Sequence, residues 1–243
     1  MENEVPLSGG RITTGVVRVG NTVCRPATAS SLFVAELLGD LRRQGFAGAP
    51  RHLGFDMAGR EILSYLPGRV PARFQRWTDP QVAAAGSLLR AFHDATRGSR
   101  LTGRHPVVCH HDPGPNNTVF ADDVPVAFID FDTAAPGDPL EDLGYMAWTW
   151  CISFKPDAPP ATVQAAQLRI LADAYRLDAT SRSSLIDATL DRQTRNAQWW
   201  RSHLARPSPH VADDHVITGR IRWSEREHDY TSANRATFDT ALD

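Results

Sequence analysis

Two acids and an amide stand out between His110 and Asp132, in the stretch HHDPGPNNTVFADDVPVAFIDFD. His110-x-Asp112 is followed by four residues and Asn117, and an apolar run then ends in Ile129-Asp130-Phe131-Asp132. Phosphoryl transfer uses this spacing: the first acid orients a hydroxyl, while the amide and the later acid hold Mg²⁺. On that reading, phosphate moves from a nucleotide to a small molecule. The spacing alone is a modest signal, because turn caps place the same residue types. It gains weight from the short apolar segment Pro106–Cys109 just before it and from the strand-borne Ile-Asp just after it.

The flanking sequence supplies elements that could hold these side chains. Residues 11–26 read as a β-hairpin turning at Gly20-Asn21. Residues 31–44 read as a helix with Phe33, Leu37 and Leu41 at i, i+4, i+8, capped by Ser30 or Ser31 and stopped by Gly45. Arg51–Phe55 and Glu61–Leu66 read as strands around a turn at Asp56–Gly59, and Pro67-Gly68 ends the pattern. Residues 79–97 form a helix opening on Asp79 as cap and Pro80, with Val82, Leu88, Leu89 and Phe92 on its apolar face. Pro106–Cys109, Thr118–Phe120 and Pro125–Ile129 read as strands, the last two joined at Asp122-Asp123. The remainder reads as helices over 140–154, 160–177, 181–205 and 216–242. Strands with one helix come first and helices follow, which predicts an α+β protein of two unequal lobes. The boundary is placed after Leu66, giving lobes 1–66 and 67–243.

Composition narrows the function classes. A chain of 243 residues can bury a sizeable core. A net charge of -2 supplies no general field for nucleic acid or an acidic membrane. Cys24, Cys109 and Cys151 are too few and too scattered for a disulfide framework or zinc cluster. The start, MENEVPLSGG, lacks the apolar core of a signal peptide, and the longest apolar stretch, 143–154, is too short to span a bilayer. A cytoplasmic location is expected. Of the 26 basic residues, only Lys155 is lysine.

The segments VCHHDPGPNNTVF, AFIDFD and APGDPLEDLGY resemble those of the aminoglycoside phosphotransferase family, within the protein-kinase-like superfamily that includes choline kinases. EILSYLPG resembles that family's lobe-linking segment, and LLRAFHDAT its helix before the catalytic loop. The resemblance implies a two-lobed protein-kinase-like fold with a small β-rich N-lobe and a larger, mainly helical C-lobe. It implies Asp112 as catalytic base and Asn117 and Asp130 as metal ligands, with Asp132 as a second acid near the metal. It implies Mg²⁺ as cofactor, ATP or GTP as co-substrate, and a small-molecule hydroxyl as acceptor. Ser64 to Leu66 would present backbone groups to the nucleotide base, and a flexible hairpin with Gly9, Gly10 and Gly15 would cover the phosphates. Asp138 and Asp142 would tie the following loop to the catalytic core.

Two departures from that family matter. No lysine precedes position 155, so the phosphate-gripping strand lysine is absent. Arg25, at the end of a strand, could replace it, since a guanidinium binds phosphate bidentately. Its expected acidic partner is Glu36 or Asp40, both falling at 100° per residue within the apolar arc made by Leu32, Phe33, Leu37 and Leu41. The second departure is His111. His110, His111 and Asp112 could instead hold a transition metal in a hydrolase, or His110 could buttress the loop while His111 lines the cleft. A nucleotide-binding pseudokinase or regulatory module is the other alternative. Trp148, Trp150, Trp199 and Trp200 are expected in core or lobe packing.

Overall fold

The computed structural model describes residues 3–7, 15–71, 75–205 and 213–243. Strands β1 (Glu4–Pro6), β2 (Val17–Val19) and β3 (Thr22–Arg25) precede helix α1 (Ser31–Arg43), which is followed by β4 (His52–Phe55) and β5 (Glu61–Ser64). They form one antiparallel sheet in the order β1-β2-β3-β5-β4. The β2–β3 hairpin turns at Gly20 with φ +55°, a conformation that favours glycine. Strand β3 pairs with β5 across an intervening helix and strand, and Arg25 stands directly opposite Glu61.

Helix α1 buries Val34, Leu37, Leu38 and Leu41, while Leu32 is 77 % exposed. The inward face is therefore rotated from the expected arc. Val34 and Leu38 extend the stripe on one side, and Leu32 falls outside it. The helix ends as expected at Gly45, where φ +76° lets the Phe46 N–H reach Leu41 O at 2.9 Å.

Helix α2 (Asp79–Thr96) starts one residue from its expected cap. Thr78 and Gln81 form a reciprocal box: Thr78 N–H donates to Gln81 Oε1, and Gln81 N–H donates to Thr78 Oγ1. The cap is thus Thr78 rather than Asp79. Strands β6 (Val107–Cys109), β7 (Thr118–Ala121), β8 (Val124–Phe128) and β9 (Ala135–Gly137) make two small ladders, β6–β9 and β7–β8. The β7–β8 turn uses Asp122 and Asp123 at φ +48° and +60°, as a tight two-residue hairpin requires. Gly68 has φ +146°, and a Cβ there would lie 2.5 Å from Phe120 O. That close approach lets Arg69 and Phe120 exchange two backbone hydrogen bonds.

The rest is helical: α3 (Pro139–Met146), a π-helical turn at Ala147–Cys151, α4 (Ala161–Tyr175), α5 (Ala179–Ser183), α6 (Leu185–Ala205), α7 (Asp214–Ala233) and α8 (Arg235–Leu242). Two compact packing units result. One holds Met1–Arg73 with Ala91–Asp138, and the other holds Phe74–Arg90 with Pro139–Asp243. These units group elements that share a core, whereas the expected division after Leu66 followed a change in element type. In the second unit, α3 and α4 bury Leu143, Met146, Leu168 and Leu171. Trp148 and Trp150 are buried as expected, but Trp199 is an exposed residue of α6. No described helix is long and apolar enough to cross a membrane.

Candidate active site

The loop after β6 is held by buried polar contacts. His110 is fully buried, with its ring centroid 4.6 Å from that of Phe131. Its Nε2–H donates to Ile129 O at 3.1 Å, and its Nδ1 accepts the Asp112 N–H at 3.3 Å. A carbonyl can only accept and an amide can only donate, so the two bonds fix the tautomer. Both nitrogens are thereby engaged, and His110 is not placed to join a metal. The metal-dependent hydrolase built on His110, His111 and Asp112 loses its first ligand.

The chain turns at His111, whose φ is +63°. Its Nδ1–H donates to Thr133 O at 3.1 Å, and Thr133 Oγ1 donates to His110 O at 2.9 Å. These bonds lace the loop around residue 111 to the one around residue 131. His111 therefore joins two loops, a role its sequence position did not announce.

Pro113-Gly114-Pro115 leads into a 3₁₀ turn, Pro115–Asn117, which returns the chain onto β7. Asn117 is buried, and its Nδ2 donates to Asp112 Oδ2 at 2.7 Å and to Asp112 O at 3.0 Å. Its own carbonyl accepts the Ile129 N–H at 2.9 Å. That bond brings the end of β8 beside the Asp112–Asn117 turn. Asp130 follows in a left-handed conformation, φ +65° and ψ +63°. This uncommon backbone is the kind of local strain found where a side chain must be aimed.

Asp130 lies close enough to Asp112 and Asp132 to feel the charge of both. Burial, then the charges of Asp132 and Asp112, push the Asp130 carboxyl up to about 6, while Arg25 opposes the shift. Because 51 % of the Asp130 side chain remains exposed, the neighbouring acids carry much of this effect. Arg25 is only 7 % exposed. Its Nε donates to Glu61 Oε2 at 2.7 Å, its NH2 donates to Asp132 Oδ1 at 2.7 Å, and its NH1 stands 3.8 Å from Asp130 Oδ1. Burial pulls the guanidinium pKa down, but Asp132 and Glu61 more than reverse this, so its net shift is upward.

Glu61, Asp130 and Asp132 face the single guanidinium of Arg25 and leave an excess of negative charge. Asp130 and the Asn117 side chain offer oxygen donors beside it, the ligand type that suits Mg²⁺.

A model of the phosphotransferase enzyme family matches residues 35–179. The chain belongs to that family. A Trifolitoxin immunity protein of Rhizobium leguminosarum bv. trifolii is 30 % identical to this phosphotransferase-family chain over 264 aligned positions, covering all of both. Among solved structures, a choline/ethanolamine kinase family protein from Mesorhizobium loti superposes with a TM-score of 0.65 at 18 % identity, covering 99 % of this chain and 92 % of the other. Spectinomycin phosphotransferase APH(9)-Ia, in complex with ADP and spectinomycin, gives 0.66 at 11 % identity, covering 94 % and 93 %. These likenesses establish the α+β, two-lobed kinase-like fold, with a small antiparallel sheet in the N-lobe and a mostly helical C-lobe.

Within this phosphotransferase-family fold, the expected partner of Arg25 is corrected. Glu36 pairs instead with Arg100, Oε1–Nε 2.6 Å, and Asp40 accepts from Ser99 Oγ and Arg43. Both acids sit at the edge of the rotated α1 face, so neither needs Arg25. The partner is Glu61, which the sequence reading missed. Its signal was an acid opening an otherwise apolar strand, a position that is fully buried once β5 lies between two neighbours.

Ser64 and Leu66 lie at and just beyond the end of β5. Ser64 exchanges bonds with Arg51 through its N–H and Oγ, and Tyr65 N–H donates to Asn21 O. Leu66 is the first residue past these contacts. Gly15 has φ +81°, whereas Gly9 and Gly10 lie outside the described residues. Asp138 contributes its carbonyl to the Cys109 thiol at 3.2 Å, and Asp142 is fully buried on α3.

Proposed function

We propose that this chain is a Mg²⁺-dependent phosphotransferase that moves the γ-phosphate of ATP or GTP to a hydroxyl of a small molecule. The observation that carries the reading is the convergence of Asp112, Asn117 and Asp130 from one turn and one strand end. Asp112 orients the acceptor O–H and takes its proton as the new O–P bond forms. The bond from the γ-phosphorus to the β-phosphate oxygen breaks, and nucleoside diphosphate leaves. Asn117 and Asp130 would hold Mg²⁺, which neutralises charge on the phosphates when bound. Arg25 supplies a second positive charge, and Ser64 to Leu66 offer backbone groups to the base. Lobes 1–66 and 67–243 serve nucleotide and acceptor respectively. The near-neutral net charge supports a small-molecule acceptor over nucleic acid or membrane, and the buried free thiols support a cytoplasmic location.

An acceptor screen reporting nucleoside diphosphate release tests this reading. Acceptor-dependent release with ATP or GTP is the expected result. Nucleotide binding without release across amino alcohols, sugars and aminoglycosides would favour the alternative, a pseudokinase lacking the strand lysine.

A second reading concerns biological role. Full-length similarity to a Trifolitoxin immunity protein supports protection against a toxic compound, with phosphorylation as its chemistry. Expression in a trifolitoxin-sensitive strain should then confer growth under challenge, and Asp112→Asn should remove it.

A further inference from the structure

Arg25 uses its guanidinium in an unusual way for a residue standing in for a lysine. Glu61 takes Nε and Asp132 takes NH2, each at 2.7 Å. NH1, at 3.8 Å from Asp130 Oδ1, is too far for a hydrogen bond and is the nitrogen left facing the acid that would hold the metal. Glu61 is fully buried, and Ser31 Oγ adds a 3.5 Å contact to the same Oε2. A carboxylate so far from water persists only with a partner. The β3–β5 register sets the spacing of the pair through two backbones. Asp132 reaches the other side of the fork from the turn after Asp130.

We propose that Glu61 and Asp132 are positioning residues for Arg25, and that Asp132 serves the guanidinium rather than the metal. This rests on the phosphotransferase reading above. The two acids hold the planar fork from two directions, which fixes where NH1 points. A lysine ammonium is a single point on a flexible stem and cannot span both acids. The clamp therefore gives a physical reason for arginine at this position, and it leaves the metal to Asn117 and Asp130. The family-like lysine should fail here: Arg25→Lys is expected to lose nucleotide affinity rather than restore a familiar site.

Calorimetric titration of the full chain with ATP and with GTP, repeated over a series of Mg²⁺ concentrations, tests this without relying on turnover. Two quantities are read: the Kd at saturating Mg²⁺ and the Mg²⁺ concentration giving half the effect. Glu61→Gln, Asp132→Asn and Arg25→Lys should each raise the saturating Kd about tenfold or more, the scale for losing a charge-assisted contact. They should leave the half-effect Mg²⁺ concentration within about threefold, while Asp130→Asn shifts it by more than about tenfold. If Asp132→Asn instead shifts the Mg²⁺ requirement as Asp130→Asn does and spares the saturating Kd, the assignment is overturned. Unchanged nucleotide binding in all three clamp variants overturns it as well, with the phosphotransferase reading intact. A wild-type chain that binds neither nucleotide overturns both. Should Glu61→Gln fail to fold, Asp132→Asn decides alone, since that side chain lies at the solvent edge of the clamp.

Discussion

Asn117 donates from one amide nitrogen to two oxygens of Asp112, to Oδ2 at 2.7 Å and to the backbone carbonyl at 3.0 Å. The contact fixes the Asp112 rotamer. With Nδ2 committed to Asp112, Oδ1 accepts from Asn116 Nδ2 at 3.2 Å and is the atom that would face the proposed metal. The six residues from Asp112 to Asn117 thus close an acid and an amide into one turn.

Replacing Asp112 with Asn keeps the side-chain shape but removes the proposed proton acceptor. Turnover should fall by about 10²–10⁴-fold, the range for losing a general base, with the nucleotide Kd nearly unchanged. Asn117→Ala should lower turnover and also raise the Mg²⁺ requirement. Steady-state kinetics beside nucleotide titrations separate the two effects, and full turnover in Asp112→Asn would sink the mechanism.

As a proposed metal ligand, Asp130 would set a pH limit on Mg²⁺ binding. Its carboxyl is pushed up to about 6, so it is largely ionised above pH 7 and largely protonated below pH 5. Mg²⁺ needs the ionised form. Apparent Mg²⁺ affinity should be flat above pH 7 and fall by up to about tenfold per pH unit below 6. Metal-dependent nucleotide binding measured from pH 5 to 8 checks this, and an affinity that holds constant down to pH 5 would contradict it.

Glu227 makes a separate pH prediction about stability. It is buried on α7 and accepts from Phe154 N–H at 3.1 Å and Trp223 Nε1–H at 3.0 Å. Burial outweighs these bonds and pushes its carboxyl from 4.5 up to about 7. The folded state therefore holds the proton more tightly than the unfolded state. Its contribution is fully present below pH 4.5 and is lost as pH rises to about 7, a change of roughly 3 kcal/mol. Unfolding free energies across that window should show the decline, and Glu227→Gln should flatten it.

Gly144 sits on α3 where it meets α6. A Cβ there would lie 2.6 Å from Ala188 O and 2.9 Å from Thr189 N, both backbone atoms that cannot move aside alone. Gly144→Ala should destabilise the chain by about 2–3 kcal/mol despite alanine's better helix propensity. Denaturant unfolding measures this, and an alanine variant as stable as the parent would show that the two helices can separate freely.

The parts read correctly from sequence are local. The Asp112–Asn117 spacing closes within a single turn, the Asp122-Asp123 hairpin needs only its two residues, and the Gly45 stop needs only one. The misses are non-local. Strand β9 is Ala-Pro-Gly, a poor strand by composition, and it exists because β6 offers it an antiparallel partner. The apolar arc expected for α1 also differs, because Leu32, apolar in sequence, is 77 % exposed, while Val34 and Leu38 are buried.

The sequence by itself determined the stretch that forms the candidate site. It placed an acid, an amide and a strand-end acid at phosphoryl-transfer spacing, and it set the absence of an early lysine. Only the tertiary structure decided what stands around Arg25. Its partner Glu61 is 36 residues away, beyond a helix and another strand, and Asp132 is 107 residues away. No periodicity reports such pairs, because they arise from which strands neighbour one another and from the burial that forces opposite charges together.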